Sequence, residues 1–159
     1  MRAVVQRVRW AEVEVDGEIH GRIAAGLLVY VGVATCDTPS EAARLAEKVA
    51  HLRIFEDPDG KLNVSLRDVR GDVLAIPNFT LLADARRGHR PAFAAAARGS
   101  AARTLFDAFA DALAQTGVQV AKGVFGAHMV IRSAACGPVN IILELPSGEP
   151  AKADPDGGT

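Results

Sequence analysis

Apolar and polar residues alternate near the N-terminus. Ala11-Glu12-Val13-Glu14-Val15 has a period of two, and Ala3-Val4-Val5-Gln6-Arg7-Val8 is rich in β-branched types, so two strands are predicted. Asp16-Gly17 marks a hairpin turn into a further strand, Glu18 to Ile23. Leu27-Leu28-Val29-Tyr30-Val31 does not alternate. A continuous apolar run after Gly26 is the pattern of a strand buried on both faces. Thr38-Pro39-Ser40-Glu41 then combines a capping box with proline at the first helical position. Ala42, Leu45, Val49 and Leu52 follow at helical spacing, which predicts a helix of about four turns.

Asp57-Pro58-Asp59-Gly60 reads as a turn. Val73-Leu74-Ala75-Ile76 reads as a short buried strand running into Pro77-Asn78-Phe79-Thr80-Leu81. One helix is expected from Pro91 and another from Ser100. In the latter, Leu105, Phe109 and Ala112 share a face with Phe106 and Leu113 beside them, and Thr116-Gly117 stops it. Two last strands, Ala127 to Ser133 and Val139 to Leu145, are joined by Ala134 to Pro138. After Pro146 the composition turns to Pro, Gly and Asp, which predicts a disordered tail over 147–159. The sum is one α+β domain over 1–146, a curved, mostly antiparallel sheet or barrel with helices packed outside.

Composition narrows the function classes. The chain has 159 residues, 49% hydrophobic and 23% charged, an ordinary globular balance that excludes wholesale disorder. The apolar run from Ile23 to Ala34 is broken by Gly26 and Gly32 and falls short of the ~18–20 residues of a membrane span. The N-terminus turns polar at Gln6-Arg7, before a signal-peptide core could form, so a cytoplasmic protein with no membrane partner is expected. Cys36 and Cys136 lack CxxC spacing and are expected to be small buried hydrophobes. The four histidines show neither HxH nor HExxH spacing, so no metal site is expected. Net charge is −1, which argues against a nucleic-acid partner, but its distribution does not. Between Ala85 and Phe106 there is no acidic residue, while Arg86, Arg87, Arg90, Arg98 and Arg103 contribute +5, leaving −6 on the rest. Such a patch suits a small anionic contact, such as one RNA end; a solvated helix face would give the same pattern.

Most catalytic signatures are absent: no GxSxG elbow, no Walker loop, no GxGxxG after a strand. Glu12, Glu14 and Glu18 flank one hairpin, and alternation sends at least the first two to its solvent face. His89 is a candidate base in the basic loop, where histidines are commonly just exposed. No triad can be assembled from spacing. An enzyme here would rest on backbone groups, a hydroxyl or the substrate itself. Asn78-Phe79-Thr80 sets an amide and a hydroxyl where a buried strand ends, and Gly137-Pro138 lies between strands, where proline cannot donate to a ladder. On spacing alone, an edge-strand threonine and a hairpin turn are the simpler readings.

Several segments together resemble the D-aminoacyl-tRNA deacylase family, from Met1 to about Leu145. They are Gln6-Arg7-Val8, Gly26-Leu27-Leu28-Val29 with Gly32-Val33, Arg53-Ile54-Phe55 and Gly60-Lys61-Leu62-Asn63. Phe79-Thr80-Leu81, Arg87-Gly88-His89-Arg90-Pro91-Ala92-Phe93 and Gly137-Pro138-Val139 complete the set, in matching order and spacing. The resemblance implies a homodimer that hydrolyses the ester between a D-amino acid, or glycine, and the terminal adenosine of tRNA, with no metal or organic cofactor. It implies a site at the dimer interface, where one subunit gives Asn78-Phe79-Thr80 and the partner inserts Gly137-Pro138 with that bond cis.

An aminoacyl ester is already activated, so positioning and N–H donors aimed at the developing oxyanion can suffice. The Phe79 and Thr80 N–H groups are the candidate donors, and the ribose 2′-hydroxyl is the candidate activator of water. The Thr80 hydroxyl as covalent nucleophile is the rival, with no adjacent base evident. Main-chain carbonyls of Gly137 and Pro138 would bind the substrate ammonium and crowd an L side chain. Arg7 would brace that loop through its planar fork, the alternative being a surface strand arginine. Pro77 and Phe125 would border the substrate, Phe125 by stacking on adenosine or else as plain core packing. Arg86, Arg87 and Arg90 would contact RNA.

The chain departs from the resemblance at two places. Members commonly read Ser-Gln-Phe-Thr where this sequence has Pro77-Asn78-Phe79-Thr80. They often read Asn-x-Gly-Pro-Val-Thr where it has Ala135-Cys136-Gly137-Pro138-Val139-Asn140. Asn78 is one methylene shorter than Gln, and Pro77 removes a donor N–H. Pro77 is similar to the animal paralogue that removes misplaced L-alanine and carries its Gly-Pro bond trans, whereas Phe79 and Arg7 are similar to the D-specific branch. The order of preference is D-aminoacyl, glycyl, then L-alanyl ester. A tRNA-end-binding module without catalysis is the further alternative.

Overall fold

In the computed structural model, residues 1–86 and 88–145 are described; Arg87 and the tail expected over 147–159 lie outside them. The sheet is organised by β1 (Arg2–Val15). Along one edge β1 pairs antiparallel with β2 (Glu18–Ile23) and β3 (Gly26–Gly32), and along the other with β8 (Val130–Glu144). From β3 the sheet continues in parallel to β6 (Asp72–Pro77) and then β7 (Val120–Lys122). Parallel neighbours need crossovers. The first runs through α1 (Pro39–His51) and a small hairpin of β4 (Arg53–Glu56) and β5 (Leu62–Ser65); the second runs through α2 (Gly99–Gln115). The sheet is thus antiparallel around β1 and parallel beyond β3. It curls until β2 lies against β6 and β7: a Cβ on Gly21 would stand 3.1 Å from Leu74 Cδ1 and 3.2 Å from the Lys122 carbonyl oxygen. No helix among the described residues is long and apolar enough to cross a membrane.

The continuous apolar runs are explained by two cores. Leu27, Val29 and Val31 face one, with Val73 and Ala75, and are covered by Leu45, Val49, Phe106, Phe109 and Leu113 of the two helices. Leu28, Leu74 and Ile76 face the other, inside the curl, with Val8, Ala11 and Val13. Side chains alternate with period two, so both faces of β3 and β6 are buried and neither leaves room for a polar residue.

β1 changes faces midway. Ala3 and Val5 belong to the first core but Ala11 and Val13 to the second, although all four numbers are odd. That switch needs an irregularity between them, and the β1–β8 register shifts twice between Gln6 and Ala11. It leaves Trp10 exposed. The two N-terminal strands expected from the sequence are therefore one strand with an irregular middle.

The capping box of α1 forms as the sequence predicts: the Thr38 hydroxyl accepts from the Ser40 N–H (3.2 Å), and Glu41 accepts from the Thr38 N–H (2.8 Å). α2 begins at Gly99, and its buried residues are Ala102, Phe106, Phe109, Ala110 and Leu113. Its inward face is therefore turned from the expected one, with Leu105 and Ala112 at the margin.

The helix expected from Pro91 does not form. The donors of that segment serve distant acceptors: Ala92 N–H bonds the Asp84 carbonyl, and Ala97 N–H bonds the Val33 carbonyl, tying an alanine-rich loop to the end of β3. The last two predicted strands are a single strand starting at Val130. Strands β4, β5 and β7 are too short for a periodicity signal and were not anticipated. The cysteines are not core residues: Cys36 is exposed in the turn before α1, and Cys136 is half-buried in β8. Glu12 and Glu14 form no carboxylate pair, because Arg22 and Arg132 on the flanking strands bond them.

Gly26 is where β3 meets β6. A Cβ there would fall 1.9 Å from the Asp72 carbonyl oxygen, a backbone atom that cannot swing away. Gly26→Ala is expected to lower stability by on the order of 3 kcal/mol in urea unfolding; an unchanged midpoint would show that the strands can part without cost.

Candidate active site

The β3–β6 ladder ends at Val31 and Pro77, and the Asn78 N–H makes the next bond, to the Val31 carbonyl (2.8 Å). The chain then tightens into a 3-10 turn, Phe79–Leu82. Asn78 is extended and caps this turn. Its Oδ1 accepts from the Thr80 N–H (3.1 Å) and from the Thr80 hydroxyl (2.5 Å). The shorter amide at this position therefore closes on its own turn. Gly32 permits the approach: a Cβ there would lie 3.1 Å from the Asn78 carbonyl oxygen. Arg2 pins the far end through a 2.6 Å bond from Nη1 to the Leu81 carbonyl.

Beside this turn is a small, partly open cavity of about 80 Å³, bounded by Pro77, Asn78 and Phe79 on one side and Phe125 and Gly126 on another. Val31, Val33 and Ala97 complete one wall, and Ala102 with Phe106, one turn apart on α2, make the floor. Among the described residues, no ionisable side chain lines it. Four of the residues singled out in the sequence, Pro77, Asn78, Phe79 and Phe125, meet here. Ala102 and Phe106 were missed as wall residues; the only signal was a small residue one turn before a large one on a core face.

The two candidate oxyanion donors differ. The Thr80 N–H is engaged by Asn78, whereas Phe79, first in its turn, has no acceptor within that turn. The Thr80 hydroxyl donates to an amide oxygen, which is not a base. Phe79 is exposed and meets Phe93 edge-on, ring centroids 5.2 Å apart at 71°. That contact seats the basic loop against the turn. Within the loop, Arg86 is held by Asp84 through two side-chain bonds of 2.9 and 2.7 Å. Arg86 holds the Asp84 carboxyl well below the usual carboxylate range. Asp84 lies one residue before the acid-free stretch, so the patch is less positive than its sequence count. Arg90 and His89 are exposed, and Arg87 lies outside the described residues. Arg103 is exposed on α2, its guanidinium 5.5 Å from the Phe125 ring centroid and its Nη2 3.5 Å from the Phe125 carbonyl.

Gly137-Pro138, a cis bond, sits elsewhere. Gln6 pairs with Asn140 and Val8 with Ala135, so two steps on β1 face five on β8, and the three extra residues form a bulge. Gly137 has φ +123°, and a Cβ on it would meet the Val139 backbone nitrogen at 2.8 Å, so glycine alone fits. Arg7, buried opposite the bulge, spreads its fork over three acceptors: Nε to the Cys136 carbonyl (3.2 Å), Nη1 to the Ile54 carbonyl (3.0 Å) and Nη2 to Glu56 (3.2 Å). Gln6 Nε2 donates to Asn140 Oδ1 at 2.9 Å.

No bulge residue lines the cavity. The Phe79–Leu82 turn is pinned at Arg2, while the bulge lies opposite Arg7, five residues and on the order of 16 Å further along β1. Within one chain the two motifs stay apart.

Comparison with known proteins identifies the family. A family model described as D-Tyr-tRNA(Tyr) deacylase matches residues 4–144. A curated D-aminoacyl-tRNA deacylase from Deinococcus deserti is 52% identical over 146 residues, covering 92% of this chain and 100% of that protein. Another from Thermus aquaticus is 51% identical over 144 residues, covering 91% of this chain and 95% of its own. Among solved structures, a c-Myc DNA unwinding element binding protein superposes with a TM-score of 0.86 at 35% identity, over 92% of this chain and 99% of that one. On a model match across nearly all the described residues and relatives sharing half of its amino acids, the chain belongs to the D-aminoacyl-tRNA deacylase family.

Proposed function

We propose that this protein hydrolyses the ester joining D-amino acids, and glycine, to the terminal adenosine of tRNA, as a cytoplasmic homodimer whose site is completed by a second copy. The observation that carries the reading is a neutral, partly open cavity beside Asn78, Phe79 and Thr80, walled by aromatic and aliphatic side chains on which a base can stack. Adenosine would stack on Phe125, and the ester would lie along the Phe79–Leu82 turn. A water attacks the carbonyl carbon, and the oxyanion that develops receives the Phe79 N–H. The bond to the 3′-oxygen then breaks, and that oxygen leaves with a proton relayed from the attacking water through the ribose 2′-hydroxyl. No protein base is required, which suits a cavity without one.

Handedness would be read by the partner's bulge. Its Gly137 and Pro138 carbonyls accept from the substrate ammonium and occupy the direction an L side chain must take, whatever that side chain is. The span separating the two motifs along β1 within one chain supports a site shared between subunits, and exposed Ile142 on β8 provides apolar surface for pairing. The names of the relatives favour D-aminoacyl over L-alanyl ester.

Matched D-tyrosyl-, L-tyrosyl- and glycyl-tRNA test the reading. Release of D-tyrosine and glycine with the L-ester spared is expected; protection of every D-ester at high protein concentration would leave only an RNA-binding role. Thr80→Ala is expected to keep kcat within about tenfold, since positioning rests on main chain, whereas removal of a nucleophile costs on the order of 10⁶. Arg7→Lys replaces a three-way fork by a point charge. A stability loss of about 2 kcal/mol is expected, together with a narrower ratio of D- to L-tyrosyl rates; an unchanged ratio would show that the bulge holds its shape without the fork.

A further inference from the structure

The basic segment contributes five arginines, but they are not equivalent once folded. Arg86 spends its fork on Asp84. Arg103 has no ion-pair partner among the described residues, yet it is held in place: its guanidinium covers the Phe125 ring at 5.5 Å and reaches the Phe125 carbonyl. It follows Ala102, which lines the cavity together with half-buried Phe125, and it is itself exposed. A guanidinium has five N–H donors, and ring and carbonyl together engage at most a few of them.

We infer that Arg103 is the side chain that grips the phosphodiester leading into the cavity. This inference rests on the proposed reading of the cavity as the nucleoside site. A nucleoside stacked on Phe125 must carry its 5′ phosphate outward past the rim, and Arg103 is the cation fixed to that rim. A guanidinium matches phosphate bidentately, and holding it over the ring beforehand reduces the freedom lost on binding. Phe125 then serves twice: its ring faces the base, and it also orders the charge that receives the phosphate. The contact reads no base, so it suits a protein that must accept many tRNAs.

Arg103→Gln removes the charge from an exposed helical position and leaves the core intact. With D-tyrosyl-tRNA, KM is expected to rise about tenfold with kcat nearly unchanged. The slope of log KM against log salt is expected to flatten by about 0.7–1. With 3′-O-(D-tyrosyl)adenosine, which carries no phosphate, the effect should shrink to within twofold. Lys48→Gln, an exposed charge near the far end of α1, should leave the salt slope as it is. Equal losses on both substrates would overturn the inference, since Arg103 would then act only by holding Phe125. No loss on either would overturn it as well. Wild-type protein that cleaves neither ester would instead refute the reading of the cavity itself.

Discussion

Burial of both faces of β3 and β6 is the constraint on which the rest of the structure depends. Leu27 to Val31 and Val73 to Ile76 feed two cores at once, so the middle of this pair has no place for a polar side chain. Polar chemistry is pushed to where the ladder stops. Asn78 stands at that point: its N–H completes the ladder and its side chain starts the next turn. The cavity forms because helix α2 covers the same strand ends with Ala102 where a larger residue would fill the space.

The site's character follows from its location. A cavity framed by a core edge is largely apolar, and among the described residues the groups left to act in it are amide N–H donors, an amide oxygen and a committed hydroxyl. Such an environment strengthens hydrogen bonds to a developing negative charge and needs no ionisable group to be tuned. It suits a substrate that brings its own activated bond and its own hydroxyl. Charge is kept to the rim, where Asp84 quiets one arginine and Phe125 anchors another.

Much of this was legible in the sequence, for physical reasons that differ by element. The capping box of α1 and the hairpin at Asp16-Gly17 are local codes, and both could be read directly. The double-sided burial of β3 followed from a run without alternation. The segment after Pro91 misled because alanine favours helix only when nothing distant competes for its backbone; here the Val33 and Asp84 carbonyls do. The bulge in β8 looked like a connection because Gly-Pro is a turn signal, and only the register against β1 shows that the strand resumes beyond it. Asn78, Phe79 and Thr80 stood out at the end of a buried strand and took a proposed role only from family likeness, but Asn78 bonding Thr80 could not be read, since an amide's choice of partner depends on the φ and ψ of its own residue.

The Ile54 carbonyl on the Arg7 fork carries an evolutionary consequence. The β4–β5 hairpin is a two-stranded unit that joins neither the main sheet nor the cavity and is anchored to the first core through Ile54. Because the same guanidinium touches this hairpin and the bulge, a shift in one alters the tension on the other. Substitutions in the hairpin would therefore reach the bulge through Arg7 in evolving lineages, with every residue of the bulge itself unchanged.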